Sequence, residues 1–266
     1  NLSVGANFSY LYGDITHQSM TTIGATDTRS IKLDKFSISD YKLDFGLQYT
    51  YKLNKKNTIN IGAVYTLGRT LHGDAYKYHQ TGAESNGSIY VQSQTGDTIP
   101  NPFKMPHTFG IGLTYVYDNR LTIGVDYTLQ KWNTADLAWS KFNKESVEMN
   151  SRTKIAFGAE FVPSYISHNY LKRIRYRMGA YYSSPYNKVS YTSPDTGTTS
   201  FQDGAREYGV SIGFGLPMFQ SKSMLNISGQ YIKVSPKFKG LMEENYLRIN
   251  IGLTFNERWF MKWKVD

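Results

Sequence analysis

From His107 to Trp132, hydrophobic and polar side chains alternate one for one. Phe109, Ile111, Leu113, Tyr115 and Tyr117 are interleaved with Thr108, Gly110, Gly112 and Thr114. Beyond Asp118-Asn119, Leu121, Ile123, Val125, Tyr127 and Leu129 are interleaved with Thr122, Gly124, Asp126, Thr128 and Gln130. Successive side chains of a strand point to opposite faces. The pattern predicts two strands joined by a tight turn, each with one apolar face and one small, polar or charged face. The apolar face must meet either a protein core or lipid.

The same alternation marks eight more segments: Leu2–Tyr12, Tyr41–Tyr51, Ile59–Leu67, Thr153–Phe161, Lys172–Tyr182, Glu207–Leu216, Leu225–Val234 and Tyr246–Phe255. Ten strands are therefore predicted. Asp14–Ser37 and Gly68–Pro106 read as polar loops. The second holds a weak strand candidate at Ser88–Ser93 and ends in Pro100, Pro102 and Pro106, which forbid a central strand. Asn133–Arg152, with a short helix expected around Ala135–Phe142, Ser183–Gly204 and Pro236–Glu244 are further loops. Connections after the second, fourth, sixth and eighth strands are short, and the others are long and polar. All short turns thus fall at one end and all long loops at the other, the asymmetry of outer-membrane barrels. A soluble β-sandwich also alternates, but nothing makes its loops keep that parity. The predicted fold class is all-β, a single antiparallel transmembrane β-barrel domain over residues 1–266, with a soluble sandwich as the alternative.

Composition sharpens this in a few places. Mean hydropathy is −0.46, and no apolar run approaches the roughly 20 residues of a spanning helix. Barrel strands need only about 9–11 residues, and their polar face hides them from hydropathy scans. The 22 Tyr and 23 Gly suit interfacial girdles and close strand packing. The net charge of +9 is spread without a compact basic patch, which argues against nucleic acid. With no cysteine there is no disulfide framework and no thiolate metal site. His17, His72, His79, His107 and His168 show no metal-ligand spacing, and no nucleophile elbow or phosphate loop stands in a suitable context. Neither catalysis nor a cofactor is expected. The chain opens at Asn1 already in strand pattern, as expected of a mature form or a piece lacking its beginning.

The stretch Ile99–Trp132 resembles the FadL/TodX-type outer-membrane transport family. Pro100, Pro102 and Pro106 approach a strand with Gly110 and Gly112. A hairpin and a strand with Leu121, Asp126 and Tyr127 follow, with Trp132 soon after. The ending, Asn245–Val265, looks like the last strand of such proteins from the Bacteroidetes. The resemblance implies a Gram-negative outer-membrane location and about fourteen strands in the full barrel. It also implies an N-terminal hatch, here absent with the first strands, and uptake or binding of hydrophobic small molecules such as long-chain fatty acids. Barrels of this type also serve as non-transporting subunits or scaffolds of larger outer-membrane complexes for protein export or barrel assembly. Expected partners are outer-membrane lipid, a hydrophobic ligand and proteins of such a complex.

Charges that a lipid face could not hold mark the inward side. Lys42, Asp44, Asp126, Lys154, Glu160, Arg173, Arg175, Arg177, Glu207 and Arg248 are the lumen-facing candidates, with Glu160 expected opposite Arg173. They read either as a basic stripe that attracts anionic head groups or as a charge ladder holding a polar interior together. Trp259, Phe260, Met261 and Trp263 form an aromatic terminal segment, an interfacial anchor or a docking strand.

Overall fold

The computed structural model describes residues 1–23, 28–85, 88–134, 148–192, 199–218, 223–236 and 242–255. Fourteen strands appear in chain order: β1 (Leu2–Ile23), β2 (Thr28–Lys52), β3 (Asn57–Thr66), β4 (Gly73–Ser85), β5 (Ser88–Pro100), β6 (Thr108–Tyr117), β7 (Leu121–Gln130), β8 (Arg152–Phe161), β9 (Arg175–Ser183), β10 (Lys188–Thr192), β11 (Thr199–Asp203), β12 (Ala205–Pro217), β13 (Met224–Pro236) and β14 (Glu244–Thr254). The fold is all-β, and among the described residues no helix is long and apolar enough to cross a membrane.

The predicted ten strands form one up-and-down antiparallel wall, in the order β14, β13, β12, β9, β8, β7, β6, β3, β2, β1. Sequential neighbours pair throughout, so the register follows from the alternation and the turns. The β6–β7 turn is typical. Asp118 and Asn119 take φ of 50° and 54°, and Arg120 N–H donates to the Tyr117 carbonyl at 2.8 Å. Positive φ at both central residues gives the twist that suits a two-residue hairpin.

Following the pairing across the wall shows what this register does. Tyr49, Ile61, Leu113, Val125, Phe157, Ala180, Val210, Tyr231 and Leu247 stand side by side from β2 to β14. Thr50, Asn60, Thr114, Gly124, Gly158, Gly179, Ser211, Gln230 and Arg248 form the adjoining row on the other face. The apolar row is exposed: Val125 is 44%, Phe157 43% and Leu247 77% accessible. Buried apolar side chains are few and scattered: Leu71 and Ala75 beside β4, Val162 and Ile174 between β8 and β9, and Ile232 on β13. No dry centre gathers Phe109, Val125, Phe157 and Ile212. The hollows, of about 450, 400 and 300 Å³, open on the Gly-bearing face, at Gly46, Gly62 and Gly112, at Gly110 and Asp126, and at Gly213 and Ser228. The polar face is therefore concave and the apolar face convex, the arrangement of a transmembrane barrel wall. The apolar band also drifts along the wall. It covers Tyr41 to Tyr51 on β2 but Leu247 to Leu253 on β14, as strands tilted against the membrane normal require.

Several boundaries differ from expectation, each for a physical reason. Asp14–Ser37 is not a loop. It continues β1 and β2 as a hairpin whose strands have 22 and 25 residues, roughly 70–80 Å at 3.3 Å per residue. Gly68–Pro106 holds the hairpin β4–β5, and β4 pairs with Thr28–Ile38 of β2. These strands carry polar side chains on both faces, so little alternation betrays them beyond the weak candidate Ser88–Ser93, which falls within β5. Pro100 falls at the end of edge strand β5, where proline is tolerated. The long loop Ser183–Gly204 contains the hairpin β10–β11. β9 begins at Arg175 because Tyr170–Arg173 forms one helical turn, α1, in which Asn169 Oδ1 accepts from Leu171 N–H at 3.0 Å. The expected helix at Ala135–Phe142 lies outside the described residues.

Distal β1 and β2 with β4 and β5 make a four-stranded blade beyond the long-loop end of the wall. Its base is tied at Asp40, where β2 changes partner from β3 to β4. The buried carboxylate accepts from Tyr41 N–H at 2.7 Å and His72 N–H at 2.8 Å, meets His72 Nδ1 at 3.0 Å, and faces Arg69 Nη1 at 3.3 Å. Burial opposes its ionisation, but the His72 and Tyr41 backbone donors, the His72 ring and the Arg69 charge outweigh burial and lower its pKa to about 2.

Two predictions follow from this architecture. Phe157→Lys on the convex face should lower the unfolding free energy in lipid vesicles by about 2–4 kcal/mol, whereas Thr114→Lys on the concave face should cost less than about 1 kcal/mol. Urea titrations read both, and equal costs would contradict the assignment of faces. Asp40 has a depressed folded-state pKa, so its contribution is present above the unfolded value near 3.9 and is lost as pH falls towards 2. Asp40→Asn should remove roughly 2 kcal/mol of blade stability at pH 7 and abolish that acid dependence, read as amide-exchange protection of β4 between pH 2 and 5.

Candidate functional site

Among the described residues, the wall gathers charges by register on the concave face, where they form two belts on either side of the small-residue row. Towards the short turns, Glu160 on β8 stands opposite Arg177 on β9. Its carboxylate takes Arg177 Nε at 2.6 Å and Arg175 Nη1 at 3.1 Å. Arg177 Nη1 also donates to Asn226 Oδ1 at 2.7 Å. Asn226 lies on β13, beyond β12. The guanidinium can cross because β12 offers Gly213 and Gly215 there. A Cβ at Gly215 would stand 3.1 Å from that of Arg175.

Towards the long loops, Tyr181 on β9 lies flat on Gly209 of β12. A Cβ at Gly209 would come within 2.0 Å of the ring. The Tyr181 hydroxyl donates to Glu207, and Arg152 Nη2 is 3.7 Å from the same carboxylate. Arg152 Nε donates to Oγ of the buried Ser183 at 2.7 Å, and Lys154 Nζ sits 4.7 Å over the Tyr181 ring. On β2, Lys42 Nζ meets Asp44 at 2.7 Å, and the Thr66 hydroxyl donates to that carboxylate at 2.6 Å. Asp126 leans over Gly112 and lines the two larger hollows. Arg248 lies on β14 opposite Gln230.

Arg173 is the exception among the ten. It belongs to α1, with its guanidinium 5.5 Å over the Tyr170 ring, and Arg177 takes the place opposite Glu160 that was expected of it. The four residues displaced into the β8–β9 connection account for the shift. Trp259, Phe260, Met261 and Trp263 lie outside the described residues. Tyr181, Ser183, Gly209 and Asn226 could be recognised as members only once strand register was known. Among the described residues, no group of three His, Asp or Glu side chains is placed to hold a metal ion. The belts bridge strands.

An exposed apolar convex face, a polar concave face and one-sided turns define the chain as a transmembrane β-barrel protein. Its family is BamG: the family profile matches residues 1–266, and the chain belongs to it. No curated protein matches. Among solved structures, the CymD monoaromatic hydrocarbon channel is similar, with 14% identity and a TM-score of 0.48 over 88% of this chain and 65% of that one. The RagAB peptide transporter gives 12% identity and a TM-score of 0.38 over 90% of this chain and 35% of that one. The chain thus spans about 65% of the hydrocarbon channel's length.

Gly209→Ala should displace the Tyr181 ring and release its hydrogen bond to Glu207, costing about 1–3 kcal/mol in unfolding experiments. In a Tyr181→Ala background the same change should cost nearly nothing. An equal cost in both backgrounds would show that the ring does not depend on the glycine.

Proposed function

We propose that the chain is the wall of a bacterial outer-membrane barrel that acts as a non-transporting subunit or scaffold of a larger outer-membrane complex, of the protein-export or barrel-assembly type. The observation that carries this reading is the concave face. Across β8, β9, β12 and β13, Glu160, Arg175, Arg177, Arg152 and Glu207 are engaged with one another or with Asn226, Tyr181 and Ser183, so this part of the lining is a polar lattice. A fatty acyl chain passing along it would desolvate Arg, Glu and Asn side chains with no replacement partners. The blade adds a second support, because it carries a four-stranded polar surface clear of the membrane, where partner proteins can reach it.

Uptake of hydrophobic small molecules of FadL type is the competing reading. It is favoured by the hollow of about 450 Å³, whose glycines leave room beside Val4, Leu47 and Val64, a volume within the usual range of ligand sites. Gln48, Asn60 and Asp126 share that lining, which suits a polar filling better.

The full-length protein, isolated from native membranes in mild detergent, should co-purify with partner proteins. Replacing residues 74–99 by a short Gly-Ser linker should release them without unfolding the wall. Isolation as a lone barrel that binds labelled fatty acid would overturn the scaffold reading in favour of transport.

A further inference from the structure

On the convex face at the long-loop end, the apolar band gives way to polar side chains beyond β6 and β7, while Leu43 and Tyr41 continue it on β2. Phe45, Tyr65, Phe109 and Leu129 stand in one paired row. Immediately above, Lys131 N–H donates to the His107 carbonyl at 3.0 Å, and its ammonium stands 5.4 Å over the Phe109 ring. The guanidinium of Arg69 lies 3.9 Å over the ring of Tyr41. His107 is stacked on Tyr65, and its Nδ1 meets the Tyr65 hydroxyl at 2.8 Å and Gly68 N–H at 3.2 Å. A backbone N–H can only donate, so Nδ1 accepts and Nε2 carries the ring proton, with no partner among its described contacts. Arg69 is partly engaged by Asp40 at 3.3 Å, whereas Lys131 rests on an aromatic face alone among its described contacts.

These donors stand just past the ends of β3, β6 and β7, directly above a lipid-facing surface. Cations laid over rings at the edge of an apolar band keep their stems among the hydrocarbon and their charge at head-group depth. We propose that Lys131, Arg69 and His107 bind the anionic phosphate of a membrane lipid in the leaflet at the long-loop end, with Tyr41 and Phe109 flanking the top of its acyl chains. The charge complementarity and the continuity with the lipid-facing band both point to this occupant. The inference rests on the membrane-spanning reading of the wall but not on the scaffold or transport role.

The test uses the full-length protein in phosphatidylcholine nanodiscs with minor amounts of phosphatidylglycerol, lipid A or dephosphorylated lipid A. Retained lipids are counted by native mass spectrometry. The wild type should retain phosphatidylglycerol or lipid A preferentially over phosphatidylcholine and dephosphorylated lipid A. Lys131→Gln should reduce that preference about fivefold, the effect of one interfacial cation, and Lys131→Arg should restore it. Lys233, already held by Glu243 at 2.5 Å, supplies the control: Lys233→Gln should change little. Preference for lipid A alone would assign the phosphate to a glycolipid, and preference for both lipids to any anionic phosphate. Insertion with no phosphate preference, or an equal effect of Lys131→Gln and Lys233→Gln, overturns the site and leaves the barrel intact. Failure to insert at all would instead remove the membrane reading itself.

Discussion

The structure depends on strand pairing that keeps a two-residue period in phase across ten strands. A slip of one residue between any two neighbours would turn every side chain beyond it to the other face. The observed register allows none in the wall, so Val125, Phe157 and Val210 share one side while Gly124, Gly158 and Ser211 share the other. Convex apolarity and concave polarity are two results of this one constraint. In hydrocarbon it is enforced strongly, because a charge turned outward has neither water nor partner.

Glycine on the concave side has a specific use beyond curvature. Gly209 lets the Tyr181 ring lie flat against the wall, and Gly213 and Gly215 let Arg177 reach past β12 to Asn226. Side chains of ordinary size at these places would confine each charge to its nearest strand. The belts therefore tie three or four strands together where simple cross-strand pairs would tie two. Such a lining cross-braces the concave face. At the long-loop end the problem changes, since β2 runs on beyond the membrane and must exchange β3 for β4. Asp40 solves it locally by gathering the exposed backbone donors of the crossing segment.

Much of this was legible in the sequence, and the failures are instructive. The ten wall strands and the parity of their connections were visible because lipid forces one face to be uniformly apolar. Most of the blade was not, because strands wetted on both faces leave little periodic trace; Thr28–Ile38 reads like a loop and pairs like a sheet, and only Ser88–Ser93, inside β5, read as a weak strand. The inward set of charges could be named from phase alone, but their partners could not. Glu160 meets Arg177 and not Arg173 because Asn169 caps a helical turn that consumes four residues, a local event that shifts the β8–β9 register. Ser183 and Asn226 carried no signal, since a neutral polar residue on a polar face is unremarkable until its neighbour is known.

The most direct test exploits the absence of cysteine from the chain. Single cysteines at consecutive positions 122–128 on β7, and again at 154–160 on β8, can be spin-labelled in lipid vesicles and probed with oxygen and with a water-soluble nickel complex. Oxygen accessibility should peak at Ile123, Val125 and Tyr127 and at Ile155, Phe157 and Ala159, with the nickel complex favouring the intervening positions. Loss of the two-residue period, or water access at Val125 and Phe157 equal to that at Gly124 and Gly158, would contradict a wall whose apolar face looks outward at lipid.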